Sequence, residues 1–157
     1  MYKKGSKTKA ITGPEALDVA LCYGWITGQA RRGTKDYALW RFCPRRKRSL
    51  WSKLNTQHAE RLIREGRMRE PGMKQISEAK SDRRWARAYA PQRTAVLPRD
   101  FIIEINRSRK AREFMKGLSR QNVYAIIFRL HHTMDKERRK EKIRKIVKML
   151  EKGGRFH

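Results

Sequence analysis

A chain of 157 residues is long enough for one domain with a real core, and its 41 Lys and Arg against 15 Asp and Glu leave a formal net charge of +26. Such a charge repels itself and calls for an anionic partner: RNA, DNA or an acidic surface. Two cysteines, Cys22 and Cys43, are too few for a disulfide framework, and no apolar run approaches the length of a helical membrane span. The basic start, Met1 to Lys7, has no apolar stretch behind it. The expectation is therefore a chain without a signal peptide, working in the cytoplasm with both thiols reduced and buried.

The charge is spread along the chain. Residues 31–70 hold 13 basic and 4 acidic side chains, and residues 101–157 hold 17 and 6. That places the excess on folded elements and argues against a detachable basic tail.

In chain order, Thr12-Gly13-Pro14-Glu15 reads as a capping box opening a helix, with Ala16, Leu17, Val19, Ala20 and Tyr23 at helical spacing and Gly24 to end it. Trp25–Ala30 and Tyr37–Cys43 read as two strands, with Arg31 to Thr34 as the turn and Pro44 as the stop. Asn55 is the expected N-cap of a helix over 56–65 that turns Leu62 and Ile63 inward and ends at Gly66. A further helix is expected over 71–80, opened by Pro71. Residues 89–98, with two prolines and no periodicity, read as a loop.

Short helices follow, with Asp100, Ser108 and Ser119 as candidate caps. The last helix is expected over 135–151. Ile143, Ile146, Val147 and Leu150 form its apolar stripe, and nine lysines and arginines from Lys136 to Lys152 occupy its other faces. The fold class that results is α+β: a small antiparallel sheet with a packed helix (residues 1–90), then a helical C-terminal module (residues 91–157), expected to form one compact unit.

Several of these segments carry a resemblance. Ala20-Leu21-Cys22-Tyr23-Gly24-Trp25-Ile26-Thr27-Gly28-Gln29 resembles an Ala-Leu-Cys-Phe-Gly-Trp-Ile-Asp-Gly-Gln motif. Pro44, Arg45, Arg46, Ser49, Trp51, Ser52 and Asn55 match a Pro-Arg-Arg-x-x-Ser-x-Trp-Ser-x-x-Asn motif, and Gly66-Arg67-Met68, Arg84-Trp85 and Ala88-Tyr89 match further pieces. Phe114, Leu118-Ser119, Asn122, Ile126-Ile127, Arg129-Leu130-His131, Arg139 and Ile143 resemble a terminal module. All belong to the YdeI/OmpD-associated, or bacteriocin-protection, family. The resemblance implies a link to bacterial tolerance of bacteriocins and cationic peptides, and no established reaction. Thr27 stands where that family has Asp, Arg83 where it has Gly and Arg138 where it has Thr. Family members also carry about thirty more N-terminal residues.

The candidate site is the basic loop. Arg45, Arg46, Arg48 and Lys53, joined by Arg129 and Arg139, are expected to bind anions, since guanidinium forks match phosphate and carboxylate geometry. Gln29, Ser49, Ser52 and Asn55 supply donors, and Trp51 a stacking face. The same residues admit a structural reading, in which Trp51 pins the loop and Ser52 or Asn55 caps the next helix. Trp25, Trp40 and Trp85 are expected in the core. His131-His132, with Cys22 or Cys43, lacks the spacing of a tetrahedral metal site. Ser52, His58 and Glu60 or Glu65 have no spacing that favours a catalytic triad.

No catalytic residue, metal or cofactor is assigned, and no oligomeric state is read. The expected function is non-catalytic binding of nucleic acid or another polyanion. Two alternatives stand beside it: a stress-protection factor acting through a protein or envelope partner, and an enzyme on a small anionic substrate.

Overall fold

The computed structural model describes residues 11–33 and 37–157. Seven helices and one two-stranded antiparallel sheet lie among them, an α+β architecture with a helical C-terminal region. The chain divides into two compact units, Met1–Ala88 and Tyr89–His157. The first holds 22 Lys and Arg against 8 Asp and Glu, the second 19 against 7, so both are strongly basic.

The first unit opens with α1, Gly13–Cys22. Its capping box forms as expected: the Glu15 amide donates to the Thr12 hydroxyl, and the Glu15 carboxylate accepts from the Thr12 amide at 2.7 Å. Gly24 follows at φ +73°, the left-handed turn that releases the chain into β1, Trp25–Arg32. β1 pairs antiparallel with β2, Ala38–Pro44, with an irregularity between Thr27 and Ala30. Arg31 and Arg32 were expected in the turn. They are strand residues paired with Leu39 and Ala38, so β1 runs on to Arg32. Thr34 falls outside the described residues.

Helices α2, Lys53–Arg64, and α3, Glu70–Ser81, complete the unit. The cap of α2 is Ser52, whose hydroxyl accepts from the Asn55 amide at 3.1 Å. Asn55 therefore lies inside the first turn and is not the cap. The core gathers Leu21, Cys22, Trp51, Ala59, Leu62, Ile76, Ala79 and Ala88, with Trp85 packed against it. Gly72 lets α3 approach the end of α1: a Cβ there would meet the Cys22 carbonyl oxygen at 2.4 Å.

The hairpin stands largely outside this core. Trp25 and Trp40, expected to be buried, are 42% and 46% exposed, and Cys43 is only half-buried. A two-stranded sheet has no second layer of its own to cover it, which is why its apolar residues remain in water.

The second unit is helical: α4, Arg99–Asn106; α5, Arg109–Lys116; α6, Arg120–His131; and α7, Lys136–Glu151. Ser108, Ser119 and Asp135 cap α5, α6 and α7 by accepting amide hydrogen bonds. Asp100 does not cap α4. Pro98 occupies that position, and Asp100 sits within the first turn, its carboxylate held by Arg139 at 2.5 Å. Phe101, Ile105, Ala111, Ile126, Leu130, Ile143, Ile146, Val147 and Leu150 form the core. The apolar stripe read in α7 thus faces α4, α5 and α6. Buried Asn122 in α6 accepts from the Phe156 and His157 amides, fastening the end of the chain to this unit.

Candidate anion-binding surface

The basic loop between β2 and α2 is pinned by two arginines and presents others. Arg45 is 6% exposed, lies 3.7 Å over the Trp51 ring and donates to the Leu50 carbonyl at 2.6 Å. Trp51 is 2% exposed and packs on Trp85 with ring centroids 4.8 Å apart. Arg84 donates to the Ser49 carbonyl at 2.8 Å and to Asp82 at 2.6 Å. Arg45 and Trp51 are therefore parts of the loop's foundation. The stacking face expected of Trp51 is covered, and Arg45 has no outward fork.

What the loop does present is Arg46, Lys47, Arg48 and Lys53, all exposed and forming no ion pair among the described residues. Arg48 sits at φ 66°, a left-handed conformation in which its side chain leaves the backbone at the tip of the turn. Ser49 and Asn55 are half-buried beside these cations, and Ser52 spends its hydroxyl on capping α2. Gln29 lies on the hairpin, exposed, within the irregular segment of β1.

In the second unit, two expected anion ligands are engaged internally. Arg129 stacks 3.9 Å over the Phe156 ring and donates to the Ala125 carbonyl. Arg139 clamps Asp100 with two nitrogens and donates to the Leu130 carbonyl. These are structural arginines, tying α4, α6 and α7 together.

The outward charge comes from elsewhere on α7. Lys136, Lys140, Arg144 and Lys148 of α7 and its C-cap Lys152 are exposed and recur every four residues, a row stepping about 6 Å along and about 40° around the helix. Lys140 pairs with Glu137, while Lys136, Arg144, Lys148 and Lys152 form no ion pair among the described residues. The four-residue recurrence was visible in the sequence. The internal contacts that engage Arg129 and Arg139 were not, because guanidinium type alone does not reveal an internal acceptor.

A buried carboxylate supplies the main polar contact between α1 and α2. Asp18 accepts from Arg61 on both oxygens at 2.6 Å and faces His58 Nδ1 at 3.2 Å. Burial pushes the Asp18 carboxyl up, but the hydrogen bonds and charge of Arg61, with His58 beside it, outweigh that and hold it below the usual range. Ser52 and His58, weighed above as parts of a catalytic set, are thus committed to a helix cap and to Asp18. Burial also pushes the Cys22 thiol up, so it is a poor nucleophile. Among the described residues no group of three or more His, Cys, Asp or Glu could hold a metal ion. No helix among them is long and apolar enough to cross a membrane. The chemistry the exposed cations of each unit offer is charge and hydrogen-bond donation.

No curated protein and no solved structure matches the chain. Two family models do. Residues 1–75 match a domain of unknown function (DUF8412), which takes in most of the segment over which the first resemblance was drawn. Residues 94–153 match the family described as "Bacteriocin-protection, YdeI or OmpD-Associated". Arg83 adds a backbone detail: it holds φ 65°, the conformation glycine favours, and glycine is what the resemblance places there. That second match lies within the helical second unit, Tyr89–His157, so this unit is what is similar to the YdeI/OmpD-associated, bacteriocin-protection family.

Proposed function

We propose that the protein is a non-catalytic polyanion-binding protein whose main partner is nucleic acid, engaged through phosphates with little sequence discrimination. One observation carries this reading. The exposed cations of the 46–53 loop, and every member of the α7 row except Lys140, form no ion pair among the described residues, on a chain of net charge +26. Ordinary surface cations are interleaved with acids, as Lys140, Lys145 and Lys116 are here. Rows left uncompensated gain most from a partner that releases condensed counterions. The proposed setting is the cytoplasm, whose reducing poise suits two free thiols.

A second reading follows from the family match. A protection factor against bacteriocins would act through a protein or envelope partner. The two differ in partner chemistry. Fluorescence anisotropy with unrelated RNA and DNA oligonucleotides, on protein stripped of nucleic acid, tests the first. Similar affinities for all sequences at low salt are expected. No binding at micromolar protein would overturn it in favour of the second.

A further inference from the structure

Trp25, Phe42 and Trp40 share one face of the hairpin. The register fixes this: Trp25 opposes Pro44, Thr27 opposes Phe42 and Ala30 opposes Trp40, and the irregularity between Thr27 and Ala30 brings β1 back into phase. Trp25 and Trp40 are 42% and 46% exposed, and Tyr23, at the end of α1, is 52% exposed. Val19, Ala20, Tyr23, Trp25 and Phe42 line an apolar groove of about 380 Å3 between α1 and the hairpin. Arg32 stands on the same face, across from Ala38, whereas Arg31, across from Leu39, and Arg41 are exposed on the opposite face. A small unit normally buries its indoles, because they carry the largest apolar surface it has. Two left in water on a face that also carries Arg32 mark an interaction surface.

The partner has to offer flat apolar faces to the indoles and negative charge to the guanidinium group of Arg32. Single-stranded nucleic acid offers both. Its bases stack on aromatic side chains, which along a strand recur on one face about every 7 Å, while its phosphates meet Arg32. A duplex keeps its bases stacked inside and presents phosphates alone. An apolar protein segment would cover the indoles but leave Arg32 without an anionic partner. We propose that the Trp25–Phe42–Trp40 face of the hairpin is a stacking platform for single-stranded nucleic acid, RNA or DNA. The proposal rests on the polyanion reading and narrows it: the loop and α7 row supply phosphate contacts to any nucleic acid, and the hairpin selects single strands.

All four tryptophans lie in the first unit, and only Trp25 and Trp40 are exposed. The experiment titrates the full chain with a labelled oligonucleotide and with its blunt duplex at one moderate salt concentration, reading anisotropy and intrinsic tryptophan emission. Single strands are expected to bind more tightly and to quench the emission; the duplex is expected to leave emission nearly unchanged. Stacking contributes about five- to about 160-fold per base. The Trp25→Ala/Trp40→Ala variant should therefore lose at least about tenfold in single-strand affinity, stay within about twofold for duplex and keep its salt slope. Both side chains are exposed, so the variant should fold, and quenching of the unmodified protein needs no variant.

Equal affinity for single strands and duplex with no quenching would overturn the platform and leave the polyanion reading standing. Binding of neither form would overturn both. Comparing RNA with DNA of one sequence shows whether the 2′-hydroxyl contributes.

Discussion

Replacing Asp18 by Asn probes the contact that joins α1 to α2. The side chain is 10% exposed and is held by two hydrogen bonds of 2.6 Å from Arg61, with His58 at 3.2 Å. Breaking a buried pair costs about 3–5 kcal/mol. Arg61 is 35% exposed, so water takes up part of its charge once the carboxylate is gone, and the expected cost falls to about 2–3 kcal/mol. Urea unfolding followed by tryptophan emission isolates the relevant unit, since all four tryptophans precede Ala88. The folded Asp18 carboxyl is held below its ordinary value, so its contribution is present above the unfolded pKa, about 4, and is lost as pH falls through the lower folded value. The variant should therefore trail the unmodified protein from pH 5 to 8 and converge with it in stronger acid. A loss under about 0.5 kcal/mol at pH 7, or a margin that persists undiminished near pH 2, would refute this account.

Three further outcomes follow from local geometry. Ser52→Ala should destabilise the first unit by about 1 kcal/mol, whereas Asn55→Ala should be neutral or slightly stabilising, because the cap is Ser52 and Asn55 sits at a helical position; urea midpoints decide it. Arg83→Gly should be neutral or raise the melting temperature, since relief of a left-handed arginine, about 1–2 kcal/mol, offsets the entropy glycine costs; a clear loss would contradict it. A thiol reagent should label Cys43 well before Cys22 on the native protein, because Cys22 is buried and its thiol is pushed up; equal rates would count against that placement.

The elements that local chemistry dictates were legible in the sequence. Thr12 and Glu15 announce the start of α1, Pro71 the start of α3, and the stripe from Ile143 to Leu150 the inner face of α7. What was not legible depended on neighbours distant in the chain. Trp25 and Trp40 read as core because large aromatics usually are, yet a hairpin with no covering layer leaves them in water, while Trp51 reads as a platform and is buried under Arg45. Arg129 and Arg139 read as ligands, but Phe156, Asp100 and Leu130 claim them across 9 to 39 residues of chain. Asn55 and Ser52 are equally good caps by residue type, and the helix simply begins one turn earlier. Of the six cations expected to bind anions, Arg46, Arg48 and Lys53 stand exposed, while Arg45, Arg129 and Arg139 are held by contacts within the protein.

The central claim is that exposed loop cations neutralise phosphates. Its most direct measurement is the salt dependence of affinity for one oligonucleotide, with the unmodified protein beside Arg46→Ala/Arg48→Ala. The account predicts a linear fall of log affinity with log salt, and a slope flattened by about one unit for each phosphate that the variant leaves unneutralised. An affinity indifferent to salt, or a slope the double variant leaves unchanged, would contradict it.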